Sequence, residues 1–183
     1  MFAKEDLKMK QVKTKAGFWL KNVKHFPGME GEAVDCDIYR NDTKVCHFHD
    51  DGNGGEAIID YCDGADKKEI ERTAFEEVDR LKPEDVNEFP EDIRKSCAIS
   101  SLENELEEAE KNYRACVAME KRGYPYIVSG VWQGFSVKTL AMSLNSKAVV
   151  LKGKHAIAMM FGVKPDDKDL VFLVYSASSF ASF

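Results

Sequence analysis

Two histidines two residues apart, His47 and His49, stand among acids at strand-like spacing. Side chains on a strand alternate between its faces, so both histidines share one face. Asn53-Gly54 reads as a two-residue hairpin turn, which pairs His49 with Ile58, His47 with Asp60 and Cys46 with Tyr61. One face then carries Cys46, Phe48, Ala57, Ile59 and Tyr61, and the other carries His47, His49, Ile58, Asp60 and Cys62. A three-residue loop at Asn41–Thr43 pairs Arg40 with Lys44 and turns Val34, Cys36 and Ile38 toward the core. A two-residue loop would turn them outward, so burial selects the longer loop. Asp35 then lies opposite His49 and Asp37 opposite His47, and the outer face gathers Asp35, Asp37, His47, His49, Asp60 and Cys62.

Two chemistries are open to that face, beside the plain alternative of a polar sheet face that only meets water. Imidazole, thiolate and carboxylate are zinc-type ligands, so His47, His49, Asp60 and Cys62, with Asp37 as a further donor, form a candidate metal set. The spacing matches no known zinc signature. The alternative is an acidic docking surface in which carboxylates favour the charged form of the histidines. The DDGNGG turn places glycines where a calcium loop needs oxygen ligands, which excludes calcium there. Cys46 and His47 are adjacent on a strand and point apart, so they form no nucleophile–base pair. His25 and His155 are isolated. No phosphate loop, nucleophile elbow or dinucleotide fingerprint is present. The expectation is a non-enzyme without a cofactor.

The elements that position these residues follow from periodicity. Short strands are expected at Ala16–Lys24, Glu32–Arg40, Lys44–Asp50 and Glu56–Cys62. A helix is expected over Asp66–Leu81, with Ile70, Ala74, Val78 and Leu81 on one face, and Pro83 and Pro90 break the chain after it. Ser100-Ser101-Leu102-Glu103 reads as a capping box opening an amphipathic helix that Gly123 ends. Its acidic face holds Glu103, Glu105, Glu107, Glu108 and Glu110. Strands follow at Tyr124–Gln133, Phe135–Met142 and Leu170–Tyr175. Residues 146–161 fit either strands or one helix interrupted by Gly153. The fold class is α+β: an antiparallel β-meander over 1–64, a helical section over 65–123, and a β-rich unit over 124–183 that packs with the helices.

The chain has 183 residues and a net charge of −6, unevenly spread. Residues 1–30 carry +4, residues 31–66 and 67–110 carry −8 each, and residues 111–183 carry +6. The acidic middle repels nucleic acid and attracts basic proteins. Its docking candidates are Asp35, Asp37, Asp50, Asp51, Asp60, Glu103, Glu107 and Glu110. The basic C-terminal part keeps nucleic-acid binding as an alternative, through Tyr124, Tyr126, Trp132 and Phe135 beside Lys121, Arg122 and Lys138. No apolar run reaches the roughly 18 residues of a membrane span. Five cysteines without a CxxC pair, and no secretory signal, fit a reduced cytoplasmic protein. The stripe along 102–120 is under three heptads, which favours a monomer.

The segment FPGMEGEAVDCDIYRNDTKVCHFHDDGNGGEAIIDYC carries a resemblance, through Pro27-Gly28-Met29-Glu30-Gly31 and Asp51-Gly52-Asn53-Gly54-Gly55. It resembles the N-terminal part of small proteins from phages and mobile elements of gut Firmicutes. Some proteins of that origin and size are anti-CRISPR inhibitors of the RNA-guided nuclease of type II systems. The resemblance implies a phage accessory protein acting in the bacterial cytoplasm on a basic partner, such as a CRISPR nuclease with its guide RNA. It assigns no catalytic residue.

Overall fold

The computed structural model describes residues 11–82, 88–133, 135–136 and 140–180. The chain is α+β and divides into two compact units, the first ending at Glu110 and the second starting at Lys111.

In the first unit, β1 (Phe18–Pro27), β2 (Glu32–Arg40), β3 (Thr43–Asp50) and β4 (Ile58–Tyr61) form an antiparallel meander in that order. Helices α1 (Lys67–Leu81), α2 (Glu91–Ser96) and α3 (Ala98–Glu120) follow. Phe18, Leu20, Cys36, Ile38, Cys46 and Phe48 face one way and join Ile70, Ala74, Val78, Ile99, Leu102 and Leu106 of the helices in one core. The helical residues up to Glu110 therefore share the core of the sheet rather than forming a layer of their own. The Asp66 carboxylate caps α1 by accepting from the Glu69 N–H, which satisfies a donor the first turn leaves open.

Three sequence expectations change here. The β2–β3 connection is a two-residue turn, with Arg40 paired to Thr43 and Asn41 at φ 55°. A register shift follows between Ile38 and Tyr39, so that Ile38 pairs with Cys46 and Tyr39 with Lys44. The extra residue, Val45, is buried beside Cys46. The bulge supplies the one-residue offset that a three-residue loop would have given, and Val34, Cys36 and Ile38 keep the core side. Second, Asn53-Gly54 is not a two-residue type I′ turn. Positive φ occurs at Gly52 and Gly54, not at Asn53, and residues 51–57 form a wider loop. The pairs His49–Ile58, His47–Asp60 and Cys46–Tyr61 are nevertheless those expected. Third, Ser100 and Ser101 lie inside α3, which starts at Ala98, so the Ser-Ser-Leu-Glu stretch is no cap. Ile99 extends the apolar stripe one turn earlier than the expected start, and Pro90 opens α2 just before it.

In the second unit β5 (Tyr126–Trp132) is central, paired antiparallel with β6 (Phe135–Ser136), β7 (Leu140–Met142) and β8 (Leu170–Tyr175). Residues 146–161, open between strand and helix on sequence, form a single helix α4 (Ser146–Phe161), capped by the Asn145 side chain. Gly153 does not interrupt it. A Cβ there would sit 3.0 Å from the ring of Phe172 and 3.3 Å from the Met142 sulfur, so glycine lets the helix lie close on the sheet. Pro83 and Lys138, both named on sequence grounds, lie outside the described residues.

Gly153→Val is expected to destabilise the chain by about 1–3 kcal/mol through overpacking against Phe172. Urea denaturation checks this; an unchanged midpoint would mean the helix does not rest on the sheet at that point.

Candidate functional site

The outer face of the first sheet assembles much as the spacing required, but its charges are spent on one another. Asp35 lies opposite His49 and Asp37 opposite His47. His47 is held from both ring nitrogens, Nδ1 at 3.1 Å from Asp37 Oδ1 and Nε2 at 3.3 Å from Asp35 Oδ2. His49 Nδ1 lies 3.5 Å from the same Asp35 oxygen. Strand β1 adds cations to this face, since Lys21 pairs with Asp37 and Lys24 with Asp35. Lys44 forms an ion pair with Asp37, and the Asn22 amide donates to Asp37 at 2.7 Å. Partial burial alone would raise the Asp37 carboxyl. Hydrogen bonds from Lys44, Asn22 and His47 outweigh it and hold the group down at about 2.

This face is a mixed-charge network, not an acidic patch. Asp37 is engaged by Lys44, Asn22 and His47, and Asp35 lies against the rings of His47 and His49, which weakens both as docking residues. Asp60 is exposed at the edge strand. For the metal alternative, the His47 nitrogens already meet carboxylates. Among the described residues no group of three or more His, Cys, Asp or Glu is arranged to hold a metal ion. Cys46 is fully buried, and burial pushes its thiol up to about 12, so it stays protonated on the opposite side of the sheet from His47.

The helix acids are also placed differently from the expectation. Glu103 is only 2% exposed. It follows Ile99 by four residues and precedes Leu106 by three, which puts it on the core-facing stripe. Glu107 approaches His25 Nε2 at 3.6 Å, and His25 Nδ1 lies 3.5 Å from Glu32. Glu105 pairs with Lys82 at 2.7 Å. Glu110 is half-buried. The acidic face of α3 thus faces protein for much of its length.

Exposed acids gather instead where two loops meet, a place marked in sequence only by its glycines. The loop after β1 (Gly28–Gly31) and the loop after β3 (residues 51–57) close on each other. The Glu30 N–H donates to the Gly52 carbonyl at 2.9 Å, and the Met29 N–H to the Asn53 side chain at 3.2 Å. Gly28 and Gly52 touch backbone to backbone: a Cβ on Gly28 would lie 2.7 Å from the Gly52 oxygen, and Gly52 has φ 66°. Neither position accepts a side chain. The Asp50 and Asp51 carboxylates each accept from the backbone N–H two residues on, at 2.8 and 3.0 Å, and fix the loop from within. The result is a clasp. Its exposed charges are Glu30, Glu32, Asp51 and Glu56, and Met29 at its apex is 90% exposed. Glu30, Glu32 and Glu56 were not among the sequence candidates; the signal for them was loop acids beside glycines that must approach one another.

Of the aromatic set proposed for nucleic acid, Trp132 is engaged in packing. Trp132 donates to Asp167 at 3.3 Å and packs on Phe161 with ring centroids 6.0 Å apart. Tyr126 is half-buried, Tyr124 is 40% exposed, and Lys121 and Arg122 are exposed. The side chain of Phe135 lies outside the described residues. No described helix is long and apolar enough to cross a membrane. In comparison with protein-family models, characterised proteins and solved structures, the chain matches none.

Asp37 titrates below its ordinary value of 3.8, so its ionised partners stabilise the fold above about pH 4 and the gain is lost as pH falls toward about 2. Asp37→Asn is expected to cost about 1–2 kcal/mol at neutral pH. In urea titrations the gap between variant and wild type should close between about pH 4 and 2. A gap that stays constant with pH would remove the ion network as its source.

Proposed function

We propose that the protein is a non-catalytic inhibitor encoded by a phage or mobile element. It binds a basic host protein through exposed carboxylates of its N-terminal unit and blocks DNA binding or cleavage. The partner we propose is a type II CRISPR nuclease with its guide RNA, met in the bacterial cytoplasm. The observation that carries this reading is the clasp. The acids Glu30, Asp51 and Glu56 stand on a loop pair already fixed by hydrogen bonds, and Glu32 opens β2 beside them. Ordering a loop on binding costs free energy, so a surface fixed in advance loses less of it. Carboxylates held in that way suit a protein surface whose cations otherwise hold phosphates. Asp60 on the adjoining edge strand extends the charge. Asp35, Asp37, Glu103 and Glu107 act in the fold and are not assigned to the contact.

The motifs behind the phage resemblance support the same reading. Pro27–Gly31 and Asp51–Gly55, the motifs that carry the resemblance, contain the two halves of the clasp.

Glu30→Lys/Glu56→Lys/Asp60→Lys leaves the loop-fixing acids Asp50 and Asp51 in place. In a cleavage assay with guide-loaded type II nuclease, the wild-type chain should abolish cleavage near stoichiometry. The variant should require at least about tenfold more protein at about 0.1 M salt, with the difference narrowing as salt rises. A wild-type chain without effect on several type II nucleases rejects the partner. Equal inhibition by both proteins rejects the acidic surface.

A further inference from the structure

The two units carry opposite charge: −12 over residues 1–110 and +6 over residues 111–183. On each, charge coincides with exposed apolar side chains. In the first unit these are Met29 at 90% and Phe26 at 47% exposure, next to Glu30, Glu32, Asp51 and Glu56. In the second they lie along α4, whose buried residues Val149, Gly153, Ile157 and Ala158 face the sheet. Its exposed side is a row at spacing four, Lys147, Leu151, His155 and Met159, flanked by Lys152. Leu151 is 69% and Met159 73% exposed. Residues 146–161 contain three lysines and no acid.

We infer that the α4 face of one copy binds the acidic clasp of a second copy, so that the protein self-associates head to tail. This inference is independent of the nuclease proposal. Three features of the α4 face select that occupant. Phosphates of a nucleic acid would meet the lysines but leave Leu151 and Met159 in water. Pairing of α4 with α4 would bring two sets of lysines together with no carboxylate between them. The clasp offers what the face lacks: carboxylates set around Met29, on a backbone that does not need to reorganise. Because two different surfaces meet, the contact is heterologous, and each copy keeps one free surface of each kind for a further neighbour.

Sedimentation equilibrium of the full chain tests this together with two variants, one altered in the clasp (Met29→Ser/Glu30→Lys/Glu56→Lys) and one on the helix (Lys147→Glu/Leu151→Ser/Lys152→Glu). All six positions are solvent-exposed. The wild-type average mass should rise with concentration at about 0.1 M salt and fall back at about 1 M, where the screening length shrinks from about 10 to about 3 Å. Each variant alone should remain monomeric. Mixed in equal amounts they should form a dimer and nothing larger, since the mixture holds one intact clasp and one intact α4 face per pair. Recovery on mixing also shows that both variants fold. A wild-type chain that is monomeric at every concentration overturns the inference. So does a mixture that stays monomeric, or a clasp variant that dimerises alone, which would mean α4 pairs with α4. Preferential binding of the wild-type helix face to phosphatidylserine vesicles, with no association between copies, would likewise overturn it.

Discussion

The register between β2 and β3 decides what every other part of the first unit can do. Cys36, Ile38, Cys46 and Phe48 are each 2% exposed or less, and they provide the surface on which Leu102, Leu106 and Ala74 pack. Because side chains alternate, a slip of one residue would send this set into water and bring Asp35, Asp37, His47 and His49 against the helices. Burying unpaired charge costs far more than a turn or a bulge, so the backbone bends to the register and not the reverse. The short turn at Asn41 and the bulge at Val45 are the visible form of that compromise. The same offset brings Asp35 and Asp37 within reach of His47 and His49.

Negative charge in this chain is used in four ways that composition cannot distinguish. Asp37 is paired with Lys44, and Asp35 lies against the rings of His47 and His49 on the same sheet face. Glu105 and Glu107 are turned toward Lys82 and His25, and Glu103 is carried inside by the stripe it belongs to. Asp50 and Asp51 hold a loop in shape. What remains for solvent or a partner is concentrated at the clasp and the β4 edge. A net charge sums these uses as though they were equal, whereas only the last leaves a field that another molecule can meet at low desolvation cost.

The pairing of His47 with Asp37 was legible because hydrophobic alternation selects one register of β2 on β3. That with Asp60 followed from reading Asn53-Gly54 as a two-residue turn, and it holds although the loop is wider. The stop of α3 near Gly123 was legible because it is a local rule of one residue. What could not be read depended on neighbours distant in the chain. Gly153 resembles a helix interruption until Phe172 is seen beneath it. Ser100 and Ser101 resemble a cap because nothing local says that Ile99 is already buried. Lys21 and Lys24 stand opposite Asp37 and Asp35 only through the β1–β2 ladder, whose register the sequence reading did not assign. Glu103, read as part of the acidic outer face, is carried inside because it stands one turn after the buried Ile99.

The clasp joins these threads. Gly28 and Gly52 lie far apart in sequence, and each would pass alone as an ordinary turn residue. They are in contact because the β1–β2 and β3–β4 connections leave the same end of one antiparallel meander. That nearness gives acids on two separate loops a common frame and lifts Met29 out of the protein. A side chain of that size, 90% exposed on a hydrogen-bonded backbone, loses little conformational freedom of its own scaffold when covered. It therefore favours binding more than the same residue on a loose loop would. Charge directs the approach of a partner, while the apolar tip rewards only one that brings a complementary hollow, and the clasp combines the two within a few residues.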